Sequence, residues 1–325
     1  MAKKSFNENI ARKNLLRASK EISGKKIQGY NFDDGVDWSK IIDSFSSIGF
    51  QASNLSRAIE IINKMRKEKA FVYLGYTSNL VSSGLRDVFR YLAEKKMINV
   101  IVTTAGGIEE DIIKCLGDFK LGEFSAQGSK LRDKGINRIG NIFVPNSRYV
   151  AFERFMQKLL EELYNEKKTI TGSELIWKMG ERINDKSSIY YQCWKNKIPV
   201  YCPAIMDGAI GDNLYFFQFK HPSFKVDIMQ DIAWFNNTSI GLKKSGVIIL
   251  GSGIVKHAIL NANMLRNGAD YAVYINNSQE FDGSDAGAMP DEAVSWGKIK
   301  KEAESVKVFG DATIIFPIIV GKCFS

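Results

Sequence analysis

The sequence is poor in the residues that mark metal-bound or disulfide-stabilised folds. It has only 4 cysteines and 2 histidines in 325 residues, and no two cysteines form a Cys-x-x-Cys pair. The spacing therefore indicates neither a zinc ribbon nor a disulfide framework. Reduced, structural cysteines are typical of cytosolic proteins, so we expect a cytoplasmic protein without a bound metal.

Long apolar runs are also missing. The longest, ATIIFPIIV at 312–320, is far too short to cross a bilayer and contains a proline. The N-terminal residues are polar and lack the apolar core of a signal peptide. No internal repeat, low-complexity tract or proline-rich linker divides the chain. These absences predict a protein that is not in a membrane and that has one continuous domain over residues 29–325.

Positive charge is concentrated at the N-terminus. The whole chain has a formal net charge of +9, and residues 1–26 hold eight Lys or Arg against two Glu, a net of +6. Basic runs are usually solvated faces, so we expect no direct nucleic-acid role. Apolar residues in this segment, including Leu15 and Ile22, lie close to helical spacing. The pattern predicts a basic helical arm over residues 1–28 that docks on a neighbouring subunit.

From residue 70 onward, apolar β-type runs alternate with amphipathic helical patterns. The runs predict buried strands at 70–76, 99–104, 141–146, 198–204, 247–250 and 271–275. Helical patterns cover 84–97 and 147–163. This alternation predicts an α/β fold of Rossmann-like type, with a mostly parallel sheet and helices on both faces. Ligands bind beyond the carboxyl ends of strands in such sheets, so the loops there are the candidate sites.

Two of these loops are short and polar. TSNLVSSG (77–84) has side chains that can cap the next helix or hold phosphate and ribose oxygens. In TTAGGIEED (103–111), Gly106 and Gly107 permit either a tight turn or close approach of a ligand. The three acids at 109–111 are expected in the first turn of a helix, where the macrodipole favours carboxylates.

A third loop, in VIILGSGIVKHAI (247–259), has the first two glycines of a dinucleotide-binding fingerprint. Lys256 stands where the third glycine belongs, and the next strand ends in Asn276 and Asn277 instead of an acid. Standard dinucleotide binding is therefore only partly supported. His257 follows in the helix, and both a packed and a catalytic role are open for it.

The fourth loop is strongly acidic. Five carboxylates lie within the thirteen residues 280–292, which contain no Lys or Arg, and Trp296 and Lys298 follow. The stretch is either a solvated loop that leads into a helix or a clamp for a multiply charged cation. A polyamine would suit the clamp, because its ammonium groups need carboxylates and its methylenes need an apolar wall such as Trp296.

A polyamine ligand suggests a reaction. Lys298 could attack an imine carbon and form a covalent intermediate. Neighbouring carboxylates favour its protonated form, whereas burial favours the neutral amine that the attack requires. His257 is the natural candidate for the proton acceptor. An alkylamine becomes an imine only by losing hydride, so a nicotinamide cofactor would be needed.

Longer motifs resemble one known family. GYNFDDGV, TTAGGIEED, PAIMDGAIGD, VKHAILNANMLRNGADYAVYIN, QEFDGSDAGA and PDEAVSWGKI are similar to stretches of deoxyhypusine synthase, and the resemblance runs from Gly29 to Val320. It implies that NAD oxidises spermidine and that the aminobutyl group passes through an enzyme lysine to one lysine of the translation initiation factor 5A precursor. It also implies a homotetramer with active sites between paired subunits.

The resemblance assigns roles to individual residues. It implies that Lys298 is the covalent lysine and that His257 assists proton transfer. The spermidine slot implied is Glu109, Glu110, Asp212, Asn261, Gly283, Ser284, Asp285, Glu292 and Trp296. The NAD site implied is Ser78, Asn79, Leu80, Val81, Ser82, Thr104, Ala105, Gly106, Asp207, Ser252, Asn277, Ser278, Asp311 and Ala312.

Departures from the family pattern and rival functions leave alternatives open. Ser252, Ala258 and Met289 replace residues that are common in the family, and they bear on cofactor affinity and acceptor docking. Homospermidine synthase shares this machinery and gives the aminobutyl group to putrescine instead. A catalytically silent polyamine- or nucleotide-binding regulator is a rival of another class, against which Lys298, His257 and the acids weigh.

Overall fold

The structure, a computed structural model, describes residues 8–324. Its strands there are β1 (Phe71–Tyr76), β2 (Val100–Thr103), β3 (Lys120–Leu121), β4 (Ile136–Ile139), β5 (Ile142–Pro145), β6 (Thr169–Thr171), β7 (Val200–Tyr201), β8 (Lys225–Asp227), β9 (Ser245–Leu250), β10 (Ala269–Asn276) and β11 (Ile299–Phe309). Its α-helices there are α1 (Glu8–Leu15), α2 (Trp38–Ile48), α3 (Phe50–Lys67), α4 (Ser78–Ser82), α5 (Leu85–Glu94), α6 (Ala105–Leu116), α7 (Gly128–Asp133), α8 (Asn146–Glu166), α9 (Gly172–Ile183), α10 (Ile189–Asn196), α11 (Ala209–Lys220), α12 (Ile228–Ile240), α13 (Ile254–Met264), α14 (Pro290–Ser295) and α15 (Ala312–Cys323).

A six-stranded parallel sheet forms the centre of the molecule. Its strand order is β11-β10-β9-β1-β2-β7, and every neighbouring pair is parallel. Leu74 in β1 is in register with Ile101 of β2 and with Ile248 of β9. Parallel neighbours need crossover connections, which the helices between the strands supply. The predicted mostly parallel α/β fold is confirmed.

Helices cover both faces of this sheet, as predicted. Alternate residues of a strand point to opposite faces, and β1 shows the result. Leu74 belongs to a core cluster that also contains Phe316 of α15, whereas Tyr73 belongs to a second cluster with Ile259 of α13. A Cβ on Gly75 would lie 2.5 Å from Ile259 Cδ1, so the glycine lets α13 pack close to the sheet.

Side-chain caps begin several of the helices. Asp37 Oδ1 accepts the backbone N–H of Lys40 at 3.1 Å at the start of α2. Thr171 and Glu174 form a reciprocal capping box at the start of α9. Each cap satisfies donors that a helix end leaves unpaired, so these boundaries are encoded locally. The predicted helices at 84–97 and 147–163 are confirmed as α5 and α8.

The predicted strands differ from the observed ones in two places. The run at 141–146 contains β5, but β5 pairs antiparallel with β3 and β4 in a separate three-stranded sheet. A tight turn at Gly140, where φ is +57°, pairs this run with its immediate neighbour β4. Strand β11 was missed, because it lies at an edge of the parallel sheet and its charged residues mask the apolar pattern of a buried strand.

The predicted N-terminal arm is helical only in part. Within it, α1 carries an ion pair between Arg12 and Glu8 at 2.8 Å, and residues 16–31 contain no helix. Residues 1–7 of the arm lie outside the described part of the chain. Leu15 and Ile22 are exposed on this chain, and their docking on a neighbouring subunit stays a prediction. No helix among residues 8–324 combines the length and the apolar character needed to span a bilayer.

A buried ion pair joins three helices beside the sheet. Arg86 Nε of α5 donates to Asp111 Oδ1 of α6 at 2.6 Å, and the Asp111 carboxylate is fully buried. The same carboxylate accepts the Ser188 hydroxyl and the Ile189 N–H at the start of α10. Because its oxygens are satisfied by these donors and by a cation, the charge is tolerated in the core.

We expect Arg86→Met to destabilise the protein by about 3–5 kcal/mol, because it leaves the Asp111 carboxylate buried without a cation. Arg90→Met on the same helix removes the more exposed ion pair to Glu94 and should cost about 1 kcal/mol or less. Urea denaturation of both variants measures the difference. Equal, small losses of free energy of unfolding would contradict this account of Asp111.

Candidate active site

The two glycines after β2 serve helix packing. Gly106 and Gly107 lie inside α6, which begins directly after Thr104. A Cβ on Gly107 would lie 2.3 Å from Thr103 Oγ1, and one on Gly106 would lie 2.8 Å from Ser78 Cβ. The pair therefore forms no tight turn, and it allows α4 and α6 to start side by side.

The acids of α6 occupy its second turn, so the expectation that they stand in the first turn was wrong. Glu109 and Glu110 are each only 6% exposed. Interaction with the helix macrodipole does not require such burial, so it does not explain their position. Glu109 Oε2 accepts the N–H of Ile210 at 2.8 Å and thereby caps α11. Glu110 accepts the hydroxyl of Ser82 from α4. Asp111 belongs to the structural ion pair with Arg86.

Burial raises the pKa of both glutamates. For Glu110 the pKa rises to about 7, with the charge of Glu109 adding to the effect and the Ser82 hydrogen bond opposing it. The pKa of Glu109 is raised by burial, and Asp212 and Asp207 add to the rise. Glu109 and Glu110 are therefore buried acids, and the exposed Asp207 and Asp212 lie within electrostatic reach of Glu109. A cationic ligand would be stabilised beside this group.

The acid pocket is the cavity that Glu109 and Asp212 line, and it measures about 620 Å³. Both residues belong to the predicted spermidine slot, and that role stays a prediction. Tyr149 of α8 and Phe216 of α11 supply aromatic walls. Burial raises the pKa of the Tyr149 phenol to about 12, and the charges of Glu110 and Glu109 add to this rise. Tyr149 ends the motif FVPNSRY (143–149), which also resembles the family, but no role was predicted for it, and the fold brings it to the pocket from α8.

A second group of predicted residues, the lysine cluster, lies beside α13 and α14. Lys298 is 9% exposed, and its Nζ lies 5.4 Å from the centroid of the Trp296 ring. The positive charge of Lys298 and the negative charges of Asp285 and Glu292 all shift the pKa of Lys256, which is lowered mainly by burial. These charges therefore lie within electrostatic reach of one another, and the lysine cluster comprises Lys256, Asp285, Glu292, Trp296 and Lys298.

His257 lies on α13 next to this cluster and is exposed. Its Nδ1 is 3.0 Å from Asn261 Nδ2, one helical turn away, so two predicted residues are in contact. Gly283 and Ser284 lie in the exposed loop between β10 and α14. There the Ser284 N–H donates to Asp282 Oδ1 at 2.8 Å, and Gly283 has a φ of +70°.

Most of the predicted cofactor residues follow the carboxyl ends of adjacent strands. Five strands of the sheet, in the order β11-β10-β9-β1-β2, are followed by Asp311, Asn277, Ser252, Ser78 and Thr104. Neighbouring strands are about 4.8 Å apart, so the row spans ~19 Å along one edge of the sheet. Ala105 and Ala312 begin the helices α6 and α15 at this edge, and Ser278 follows Asn277.

Some members of the predicted cofactor set have another local role. The side chains of Leu80 and Val81 are packed in the core, so only the backbone of these two residues is available for the predicted contact. The Asp311 carboxylate caps α15 by accepting the Thr313 N–H at 2.7 Å. Asp207 raises the pKa of Glu109 and so belongs with the acid pocket. Asn79 is exposed, and its Oδ1 accepts the Thr77 hydroxyl at 2.7 Å.

The acid pocket and the lysine cluster are separate in one chain. Over residues 8–324, no hydrogen bond or ion pair joins Glu109, Glu110 or Asp212 to the residues of the lysine cluster. The acid pocket lies next to β2 and β7, whereas the lysine cluster lies next to β9, β10 and the start of β11. The predicted site residues of one chain thus form two groups at different parts of the sheet edge.

Comparison with known proteins identifies the family of this chain. The family model for deoxyhypusine synthase matches residues 40–323. The chain belongs to the deoxyhypusine synthase family. The deoxyhypusine synthase of Neurospora crassa is 52% identical over 88% of this chain and 86% of its own length. That of Senecio vernalis is 48% identical over 100% of this chain and 96% of its own length.

A solved structure agrees with this assignment. A crystal structure from Entamoeba histolytica that bears the same family designation matches with a TM-score of 0.69 and 34% identity. The match covers 92% of this chain and 96% of that chain. Deoxyhypusine synthases are transferases, so the chain is assigned to this class of enzyme.

The raised pKa of Glu110 predicts a pH-dependent stability. Between the ordinary value of 4.5 and the folded value of about 7, the native protein binds more protons than the unfolded chain. Stability is therefore lost as the pH rises through this window. We expect Glu110→Gln to raise the free energy of unfolding at pH 8 by on the order of 2 kcal/mol and to leave it nearly unchanged at pH 4.5.

Denaturant unfolding at several pH values measures this effect. The matched control is Glu153→Gln, an exposed glutamate at the rim of the same cavity, which should not change the pH profile. A Glu110→Gln variant with the wild-type pH profile would show that the Glu110 carboxyl is not held in its neutral form.

Proposed function

We propose that this chain is a deoxyhypusine synthase that acts on spermidine with NAD. In this reaction the 4-aminobutyl group of spermidine is carried as an imine on Lys298 and is delivered to one lysine of the translation initiation factor 5A precursor. The observation that supports this most directly is the lysine cluster, in which a nearly buried lysine lies beside an aromatic ring and two carboxylates. Cytoplasmic location is part of the same proposal.

The sheet edge fits an NAD molecule. The hydroxyls of Thr104 and Ser252 are buried there without a hydrogen-bond partner in the described part of the chain. Buried polar atoms are normally satisfied, so two such orphans at one sheet edge favour a polar ligand. Thr104, Ser252, Asn277 and Asp311 would hold the cofactor. When bound, NAD accepts a hydride from the amine-bearing carbon of spermidine and later returns it.

Spermidine would bind through its ammonium groups. Asp285 Oδ2 is buried without a hydrogen-bond partner in the described residues, and Glu292 lies near it on α14. The acid pocket offers Glu109 and Asp212 to another ammonium group, and Glu110 adds its charge from beside Glu109. The exposed Trp296 ring provides an apolar wall for methylenes next to Lys298. The charge-assisted contacts at each end fix which carbon faces Lys298.

Lys298 must be neutral when it attacks. Its Nζ adds to the imine carbon of the oxidised substrate, and the bond from that carbon to the departing three-carbon diamine then breaks. The incoming acceptor lysine repeats this exchange and frees Lys298. The attack therefore needs a proton acceptor, and we assign this role to His257 of α13.

Asn261 would set the tautomer of that histidine. If the amide oxygen of Asn261 faces Nδ1, it accepts the Nδ1–H and leaves Nε2 as the base. In the structure the Asn261 amide nitrogen lies 3.0 Å from Nδ1, and a flip of the amide would bring its oxygen to that position. The pair then acts as one unit in proton transfer.

The complete site would use two copies of the chain, within a homotetramer. Separation of the acid pocket from the lysine cluster supports this, since neither half alone holds both ends of spermidine and the nucleophile. Large apolar side chains are exposed on both halves, as expected of surfaces that pair. They include Phe216 and Phe219 by the acid pocket and Phe281 and Trp296 by the lysine cluster.

We expect wild-type protein with NAD and spermidine labelled in its aminobutyl group to retain label on Lys298 after borohydride reduction. Lys298→Ala should retain none, because it lacks the attacking amine, but should still bind NAD and spermidine. Lys301→Ala, at an exposed lysine of β11 three residues after Lys298, is the matched control. Peptide mapping locates the label, and its absence from the wild-type protein would contradict the enzyme proposal.

The same assay identifies the acceptor. The translation factor precursor and putrescine are added in competition to the labelled enzyme. Transfer of the label to the precursor supports the proposal, whereas transfer to putrescine alone would make the chain a homospermidine synthase.

A further inference from the structure

Two buried lysines have no part in the chemistry above. Lys256 on α13 is 1% exposed and Lys307 on β11 is 2% exposed. Both ammonium groups donate to main-chain carbonyls of the acidic loop, residues 277–289, which connects β10 to α14. Lys256 Nζ donates to the carbonyls of Asp285 and Ala288, and Lys307 Nζ donates to those of Ser278 and Gly287, at 2.8 and 2.7 Å.

Burying these two cations is costly. Burial lowers the pKa of both lysines, which shows that the surroundings oppose the charged form. Rings beside them offset part of this cost, since Lys256 Nζ lies 4.8 Å from the Tyr274 centroid and Lys307 Nζ 4.4 Å from the Phe309 centroid. An apolar side chain would fill the same space without desolvating a charge. Lysines at positions 256 and 307 are therefore explained by the hydrogen bonds that their ammonium groups donate.

The acidic loop needs donors from outside itself. Its local hydrogen bonds are few turn contacts, such as Gly287 N–H to the Ser284 carbonyl at 3.1 Å. It is also folded tightly, because a Cβ on Gly287 would lie 1.6 Å from the Gln279 carbonyl oxygen. Carbonyls that face the protein interior would stay unsatisfied without the two ammonium groups. The lysines supply donors at both ends of the loop.

The two anchors connect the loop to the other functional groups. Lys256 immediately precedes His257 on α13. Lys307 lies on β11, the strand that starts directly after Lys298. The loop carries Asp285, whose buried carboxylate is part of the lysine cluster. Fixing the loop to these two elements therefore sets the position of the acid relative to the base and the nucleophile.

We propose that Lys256 and Lys307 are positioning residues, which hold the acidic loop so that Asp285 faces the Lys298 amine. This assignment rests on the proposed function for its effect on catalysis. The hydrogen bonds that carry it are formed in the chain without any ligand, so the fixing of the loop can be tested apart from the reaction.

The first test is hydrogen exchange of the full-length protein without ligands. We expect Lys256→Met and Lys307→Met to speed exchange of loop amides by tenfold or more, because each variant removes two carbonyl contacts, and to leave the strands β1 and β9 protected. Lys301→Met is the control, an exposed lysine on the same strand as Lys307. Wild-type exchange rates in the loop of both Met variants would overturn the proposal, whatever the enzyme does.

The second test is steady-state kinetics with spermidine. Misplacing a reacting group by about 1 Å costs on the order of 10²-fold in rate, so we expect kcat/KM for spermidine to fall by ~10²-fold in Lys256→Met. The thermal unfolding midpoint of Lys256→Met should fall only slightly, which would show that the loss of activity is not caused by unfolding of the whole protein. A faster-exchanging loop with unchanged kcat and KM would overturn the positioning role. If Lys256→Met does not fold, Lys256→Gln keeps an N–H donor without the charge and is measured in its place.

A failure of the proposed function gives a different result. In that case the wild-type protein forms no labelled Lys298 adduct, while the exchange experiment still shows whether the two lysines fix the loop. If the loop amides are protected in the wild type and exchange faster in both Met variants, the two lysines do fix the loop. Their proposed effect on catalysis would then be rejected.

Discussion

Everything functional in this molecule depends on the parallel pairing of its six central strands. Parallel strands all end at the same edge of the sheet, so the loops after β1, β2, β9, β10 and β11 lie together there. The pairing of the strands is enough to bring these loops together. Strand order then decides which loops are neighbours. It places the acid pocket toward the β7 end of the sheet and the lysine cluster toward the β11 end, and it leaves the polar edge between them for an extended ligand.

The partners of a buried acid distinguish structural groups from candidate site groups. Asp111 is buried and is satisfied by Arg86 and by donors from α10, so it holds helices together. Glu110 is buried beside other acids, and its pKa is raised to about 7. Asp285 keeps a buried carboxylate oxygen without a partner in the described residues. Without a ligand, a negative charge on Glu110 or Asp285 is not fully compensated. A bound cation would compensate it, so both residues suit a site for a cation.

Sequence patterns predicted the sheet, its flanking helices and the acids near Lys298, because hydrophobic periodicity and local charge are properties of short segments. They predicted the strand at 141–146 but not that it pairs with β4 in a hairpin outside the parallel sheet, and they missed β11, whose edge position permits charged residues. Lys256 appeared only as a break in a glycine fingerprint, since its bonds to a loop about thirty residues away are tertiary. The roles of the individual site residues remain predictions.

The central claim is that the acid pocket of one chain completes the lysine cluster of another. Subunit mixing tests it most directly, with Lys298→Ala and Glu110→Gln chains, each inactive alone, co-expressed and assayed for transfer from spermidine. In a mixed pair, one site receives both wild-type residues, so random pairing should restore about a quarter of wild-type activity. No recovery from mixed pairs, shown by differential tags to have formed, would contradict the shared site.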